Sequence, residues 1–551
     1  MDKKGDRHIA YFTMEIGFDP RVPTYSGGLG VLAGDTLKSC ADLKIPLVGV
    51  TLLHRNGYFY QKIDEQGNQI EIPVKWSVDD FMVLLPNKIS VSIEGRTVWV
   101  QAWQYRLRGQ TGHEIPMYFL DTDIPDNSEW DRKLTSSLYG GDKWYRLAQE
   151  VVLGIGGLRM LESLGHETIR RYHMNEGHSA LLTLELLRKF EGEHQEEKVR
   201  ELCVFTTHTP VPAGHDKFPA DFVKRMLGDL PGDGHVMKNN ELNMTLLALH
   251  FSRYINGVAK KHGEVSREMF PEYPIDSITN GVHSATWVCE CMAGLFEKYT
   301  PGWKLDPFTL RHAVEIPEEE LWQAHQTAKR QLLDYVNRET NAGMDKDIFT
   351  IGFARRATPY KRADLLFHDI GRLQDIASKF NRIQVIYAGK AHRNDELGKQ
   401  LIKEIYQLRD KIPNVSIAYL ENYDMDIAKL LVAGVDVWLN TPKRPMEASG
   451  TSGMKAAHNG VPHFSTLDGW WIEGHNEGIT GWSIGSEDKN VPSNDDRDSA
   501  DMYKKLEEDI LPAYQDKDVW AKIMKNVISF NASFFNTHRM VQQYVLKAYF
   551  E

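Results

Sequence analysis

A carboxylate, Glu447, and a primary amine, Lys455, flank a run of small and hydroxyl-bearing residues: Ser449, Gly450, Thr451, Ser452 and Gly453. These residue types can do three kinds of chemistry together. The carboxylate accepts hydrogen bonds from sugar hydroxyls. The amine can bond covalently to an aldehyde. Backbone N–H groups and hydroxyls at the start of a helix suit an anion, usually a phosphate. The plainer reading is a glycine-rich turn ahead of an ordinary helix, with Lys455 in solvent.

Four further clusters could take part. Arg355, Arg356, Lys361 and Arg362 crowd behind the apolar run FTIGFA. A solvated patch is one reading; an anion site is the better one, since arginine forks match phosphate. Ser26, Gly27, Gly28, Leu29 and Gly30 open another helical pattern. Thr207, His208 and Thr209 close the apolar run LCVFT, and Asn280 precedes a glycine. His208 could instead be a buried histidine capping a strand, and Asn-Gly is often just a turn. His173, Glu176 and His178 could be a metal set, but their spacing is not that of the helical zinc motif, so no metal is expected. Trp287 reads as core, with lining the site as the alternative.

These groups must be positioned by the elements that precede them. Short apolar runs alternate with longer helical patterns along the chain, which predicts an α/β protein with largely parallel sheets. His8–Glu15, Leu47–Leu53 and Val435–Asn440 read as such strands. Ligands of these sheets bind beyond the carboxyl ends of the strands. Residues 89–122 alternate differently and predict antiparallel strands, at a sheet edge or as an insertion. LGIGGLRML reads as a packed helix rather than a dinucleotide loop. A proline-bearing stretch from Thr300 to Pro317 reads as a linker, and Ser486–Asp501 as an exposed loop. Near the end, Val541, Tyr544, Val545, Ala548 and Tyr549 share one face of a helix.

With 551 residues the chain is too long for one core and fits two large domains. The net charge of −11 disfavours nucleic acid as a partner. An acidic protein that binds phosphate needs a local basic island, which residues 355–362 supply. The N-terminus MDKKGDRHIAYF lacks the apolar region of a signal peptide, and no run suggests a membrane helix. The cysteines, Cys40, Cys203, Cys289 and Cys291, form no disulfide framework and suit a reducing cytoplasm. Cys289 and Cys291 read as structural thiols rather than zinc ligands.

The segment EASGTSGMK, with Asn459-Gly460 following it, resembles the cofactor segment of the α-glucan phosphorylases, the glycogen, starch and maltodextrin enzymes. Further segments match that family in the same order: GGLG, THTPVPAG, TNGVHSATW, ARRATPYKR and YAGKAH. The resemblance implies the GT-B fold of family 35 glycosyltransferases: two Rossmann-like, doubly wound domains facing a central cleft, with a C-terminal helix crossing back to the first. It places a glucan-binding domain at 1–300, a cofactor- and phosphate-binding domain at 301–535, and the crossover helix at 536–551. Two departures stand out. Gly453 replaces the family's asparagine, and Asp424 stands where the family often has an arginine.

By this resemblance Lys455 carries pyridoxal 5′-phosphate as a Schiff base, with Thr451, Ser452, Arg355 and Gly27 beside the cofactor. Arg356, Lys361, His208 and Glu447 are the expected catalytic residues; Gly28, Leu29, Asn280, Ser449 and Gly450 are the expected substrate contacts. The implied reaction is reversible phosphorolysis of an α-1,4-glucan or maltodextrin at its non-reducing end, giving α-D-glucose 1-phosphate with retention. Inorganic phosphate is the co-substrate, and no membrane partner is implied. Whether the chain forms a homo-oligomer stays open. Two alternatives compete: a nucleotide-sugar-dependent glucan synthase of the same fold, which has no need of Lys455, and a non-enzymatic glucan-binding protein.

Overall fold

The computed structural model describes residues 7–190, 192–230, 237–409 and 411–550. Part of the N-terminal stretch, residues 1–6, therefore lies outside the described residues. The chain divides into two units. One holds the described residues of Met1–Phe59, Pro73–Ile278 and Met540–Glu551; the other holds Tyr60–Ile72 and Thr279–Arg539. The division thus falls at Ile278 rather than at residue 300, and Asn280 lies in the second unit.

The strands, in chain order, begin with β1 (Ile9–Thr13), β2 (Leu47–Leu52), β3 (Tyr60–Ile63) and β4 (Gln69–Ile72). Then come β5 (Val83–Ile93), β6 (Arg96–Arg108), β7 (Glu114–Asp121), β8 (Arg171–Asn175) and β9 (Cys203–Thr206). A small antiparallel sheet holds β10 (Lys217–Pro219), β11 (Met237–Lys238) and β12 (Glu241–Asn243). β13 (Tyr254–Gly257) and β14 (Ile275–Ser277) complete the first unit.

The main sheet of the first unit runs β14-β13-β9-β8-β1-β2-β7-β6-β5. β14 through β7 are parallel; β6 and β5 extend the β7 edge antiparallel. The alternating segment near 89–122 is thus an edge of the sheet, tied in through β7, which pairs parallel with β2. Successive strands spread from β1 in one direction, and β8 starts the other half. The order reverses between β1 and β8, so the residues after those two strands flank the crevice where such sheets bind ligands. Glu15 follows β1; Glu176 follows β8. LGIGGLRML is a buried helical segment, as its glycine-tolerant pattern predicts.

The second unit carries β15 (Thr350–Ala354), β16 (Ile383–Ala388), β17 (Val415–Leu420), β18 (Val437–Asn440), β19 (His463–Thr466) and β20 (Gly481–Ile484). All six are parallel, in the order β17-β16-β15-β18-β19-β20. This is the Rossmann order, with its reversal between β15 and β18. β15, β16 and β18 are buried along their whole lengths, as expected of a parallel sheet covered on both faces. The β3–β4 hairpin packs onto the same unit: Gln61 Nε2 donates to Gly389 O (2.8 Å) and Gln69 Nε2 to Ala391 O (3.0 Å).

Two local expectations change. Thr300–Pro317 is not a linker: Pro307–Glu315 forms a 3₁₀ helix, and Trp303, Leu310, Ala313 and Ile316 are buried in the core of the second unit. Ser486–Asp501 is a loop only in its first half, because a helix begins at Asp495, capped by Asn494. After β8 a short 3₁₀ turn, Gly177–Ser179, leads into the helix Leu182–Lys189. The last helix, from Thr537, keeps its apolar face: Val541, Tyr544, Ala548 and Tyr549 are buried in a core of the first unit. Among the described residues no helix is long and apolar enough to cross a membrane.

Candidate active site

In the second unit Arg355 follows β15 directly. Its N–H donates to Ala388 O (3.1 Å), and Ala357 N–H donates to Lys390 O (3.0 Å), so the loops after β15 and β16 are laced together. Gly389 sits at the seam with φ +146°; a Cβ there would lie 1.9 Å from Arg355 O, so only glycine fits.

The loop after β18 brings Glu447 to the same place. Its carboxylate accepts from Arg355 Nη2 and from Lys361 Nζ (2.5 Å). Burial alone would raise the Glu447 pKa. The two cations outweigh it and hold the carboxyl at about 2. Arg355 Nη1 and the Thr358 hydroxyl are buried with no hydrogen-bond partner in the protein. Buried donors of this kind call for an acceptor.

Lys455 lies on the helix Ser452–Ala457, which starts beyond the same loop. It is 7% exposed, and its Nζ stands 3.9 Å from the centre of the Trp287 ring. Asn459 Nδ2 donates to Lys455 O (3.1 Å) and to Trp287 O (2.9 Å), fixing the two backbones together. Asn280 is buried, and its Oδ1 has no hydrogen-bond partner in the protein.

In the first unit Glu15 holds the glycine loop. Ser26 N–H (2.6 Å), Ser26 Oγ (3.1 Å) and Gly27 N–H (3.3 Å) all donate to Glu15 Oε2, and Tyr139 OH donates to Oε1 (2.8 Å). The helix Gly28–Asp42 begins there, with Gly28 exposed. Across the strand reversal, His208 N–H donates to Glu176 Oε2 (2.7 Å), and the His208 ring meets Asn175 Oδ1 (2.6 Å). Burial lowers the His208 pKa to about 3, so the ring is neutral at physiological pH.

The carbohydrate phosphorylase family matches the chain over residues 23–131 and 235–482. The chain is 40% identical to a maltodextrin phosphorylase of Thermococcus litoralis, covering 99% of this chain and 71% of that protein. It is 36% identical to a glycogen phosphorylase of Aquifex aeolicus, with coverages of 98% and 86%, and 35% identical to one of Mycobacterium tuberculosis, with coverages of 98% and 70%. The chain belongs to the carbohydrate phosphorylases. It is an enzyme, a glycosyltransferase of the phosphorylase type, and its parallel doubly wound sheets are those of the GT-B fold.

Within the second unit of this phosphorylase the structure gathers Arg355, Lys361 and Glu447 into one ion cluster. Arg356, next in sequence, is exposed. Arg362 does not join this cluster. It is buried, and its guanidinium pairs with Asp498 (2.8 Å) and Asp495 (2.9 Å). The Ser452 hydroxyl is engaged within the protein, accepting from Trp438 Nε1 (3.0 Å) and donating to Asn440 Oδ1 (3.3 Å). Ser449 is buried with its hydroxyl on Gly450 O (3.0 Å), while Thr451 is half-buried. His173, Glu176 and His178 face different partners: His173 bonds Tyr549 OH (2.7 Å) and Thr206 Oγ1 (2.8 Å), Glu176 holds the His208 amide, and His178 faces Asp216 (3.7 Å).

Two departures from the family pattern acquire a physical reason. Asp424 caps the helix Met425–Gly434 through the amides of Asp426 (3.0 Å) and Ile427 (2.9 Å). At Gly453 a Cβ would lie 2.7 Å from the His463 ring and 2.8 Å from Trp470, so these rings fill the space a side chain would need.

Sequence reasoning missed Asp468. Its Oδ2 accepts the Glu447 amide (2.9 Å) and its Oδ1 the Gly469 amide (2.9 Å). Burial, reinforced by the Glu447 charge, raises its pKa to about 7. The signal was its position just after β19. Glu15, just after β1, was missed in the same way.

Proposed function

We propose that this phosphorylase catalyses reversible phosphorolysis of an α-1,4-glucan or maltodextrin, with pyridoxal 5′-phosphate held covalently by Lys455. The observation that carries this reading is a buried amine on an aromatic face, in the same unit as two unsatisfied buried donors. Lys455 stands on Trp287 (3.9 Å), and Arg355 Nη1 and Thr358 Oγ1 lack partners. This donor set fits an aldehyde-bearing phosphate: one amine to bond, several cations and hydroxyls to receive the anion.

When bound, the cofactor supplies a second phosphate that braces charge and shares a proton with the substrate phosphate. The remaining work falls to the chain's own residues. Arg355, Arg356 and Lys361 bind inorganic phosphate and offset its charge. The phosphate protonates the glycosidic oxygen and then bonds to the anomeric carbon from the same face, so configuration is retained. Glu447, kept ionised by Arg355 and Lys361, accepts from sugar hydroxyls. Asn280 Oδ1 offers a further acceptor. Ser449, Gly450, Gly28 and Leu29 present backbone to the substrate. Thr451 and Gly27 lie on the two loops assigned to the anions, and Ser452 acts through its backbone. His208 packs neutral against the sugar. Four cysteines whose spacing gives no disulfide framework suit a reducing, cytoplasmic setting.

The test is an absorbance spectrum of the purified protein before and after borohydride, beside Lys455→Ala. A near-ultraviolet or visible band that borohydride fixes to the protein, absent from the variant, supports the reading. Glucose 1-phosphate should appear with maltodextrin and inorganic phosphate. A colourless protein that gains nothing from added pyridoxal phosphate, yet turns over a nucleotide sugar, would overturn it.

A further inference from the structure

Cys289 and Cys291 take no part in the chemistry above, yet their geometry is specific. Cys289 caps the helix Glu290–Tyr299, and Cys291 lies in its first turn. Their Sγ atoms are 3.2 Å apart. Both residues are half-buried, within reach of a small reagent, whereas Cys40 and Cys203 are fully buried. Among the described residues no third histidine, cysteine or carboxylate completes a metal set with the pair. A disulfide bond is about 2.05 Å long, so closure needs a movement on the order of 1 Å.

The pair is also wired to the lysine. Cys289 N–H donates to Asn459 Oδ1 (2.8 Å), and Asn459 Nδ2 donates to the carbonyls of Trp287 (2.9 Å) and Lys455 (3.1 Å). One amide side chain therefore joins the Cys289 backbone to the backbones of Trp287 and Lys455.

We propose that Cys289 and Cys291 form a redox-active dithiol, closed to a disulfide by exchange with a small-molecule disulfide, and that closure loosens the Asn459 clamp on the Lys455 helix. Cys291 is the attacking sulfur. The hydrogen bond from Cys289 brings its pKa down to about 7 against the opposing effect of burial, while Cys289 is held well above the usual thiol range. The Cys291 thiolate attacks one sulfur of the reagent, forming a mixed disulfide and releasing one thiolate. Cys289 then gives its proton to water, and its sulfur attacks Cys291 Sγ. The second thiolate leaves. The pair loses two electrons and two protons; the reagent disulfide becomes two thiols.

The experiment equilibrates the purified protein with graded ratios of reduced and oxidised glutathione, followed by acid quench, alkylation and peptide mass analysis. The expected result is that Cys289 and Cys291 lose reactivity together, in peptide lighter by two hydrogens, while Cys40 and Cys203 stay unmodified. Cys289→Ser should stop at one glutathione on Cys291. Hydrogen exchange of peptides spanning 452–460 should be at least several-fold faster in the oxidised protein, and unchanged by oxidant in Cys289→Ser. That readout needs no bound cofactor and is independent of the phosphorolysis reading. Two thiols that stay alkylatable at every ratio, or glutathione adducts that never resolve, would overturn the dithiol. Equal exchange in both redox states would overturn the coupling.

Discussion

The ammonium of Lys455 lies 3.9 Å from the centre of the Trp287 ring, on a tryptophan that is 1% exposed. A desolvated cation over an indole gains about 2 kcal/mol, and the ring also fills core volume. Trp287→Ala should therefore destabilise the protein by about 3–5 kcal/mol, because it leaves a cavity and removes the aromatic face beneath the ammonium. Trp287→Phe keeps most of the packing and should cost on the order of 1 kcal/mol. Urea unfolding of the two variants decides the matter. Equal losses would mean that phenylalanine restores neither the packing nor the aromatic face, and would overturn this account of the ring.

Asp468 and Glu447 are neighbouring carboxylates pushed in opposite directions. Glu447, lowered to about 2 from 4.5, contributes stability above the unfolded value that is lost as pH falls through about 2. Asp468, raised from 3.8 to about 7, behaves oppositely. Its contribution is fully present below its unfolded pKa and is lost as pH rises through about 7. Asp468→Asn should flatten the fall in stability between about pH 4 and 7, by up to a few kcal/mol, at the expense of one backbone hydrogen bond worth about 1 kcal/mol. Unfolding free energies measured across that range check it. A slope unchanged by the substitution would show that Asp468 is already ionised in the fold.

Gly453 is held small by the His463 and Trp470 rings, which a Cβ would approach to 2.7 and 2.8 Å. Gly453→Ala should cost about 1–3 kcal/mol by overpacking. Gly453→Asn should cost more in this chain, and His463→Ala should recover part of that loss. A double-mutant cycle on stability should return a favourable coupling of about 1 kcal/mol or more. Additive losses would place the strain elsewhere.

The sequence located much of this site because parallel sheets put ligand-binding residues after strands. Lys455, Glu447, Arg355 and Lys361 follow apolar runs or glycine turns, so local pattern found them. Arg362 carried the same signal and proved different. Its partners, Asp495 and Asp498, lie far along the chain, on a helix whose first turn reads as loop because it is crowded with polar residues. Glu15 and Asp468 follow strands too, but a lone carboxylate after a strand looks like any solvated one until burial and backbone donors are known. The Tyr60–Ile72 hairpin has no local mark of the unit it joins. Gln61 and Gln69 find Gly389 and Ala391, and that choice is made by tertiary hydrogen bonds alone.

Lys390 gives the remaining prediction. It follows Gly389 at the seam with the Arg355 loop, and burial lowers its pKa to about 8 while Asp424 pulls it back up. A lysine that loses its charge near pH 8 should bind a doubly charged anion less tightly as pH rises through that value. Sulfate is the right probe, since its charge is constant where phosphate's still changes. Calorimetric sulfate affinity of the holoprotein should fall several-fold between about pH 7 and 9.5, since one charge contact to a buried anion is worth about 1–3 kcal/mol. Asp424→Asn removes the charge that supports the ammonium, so the fall should begin at lower pH. The same variant keeps a side-chain oxygen to cap the helix Met425–Gly434, so its fold should be spared. Lys390→Met should abolish the pH dependence and leave the weak affinity throughout. A parent protein whose sulfate affinity is flat across this range would show that Lys390 does not face the anion.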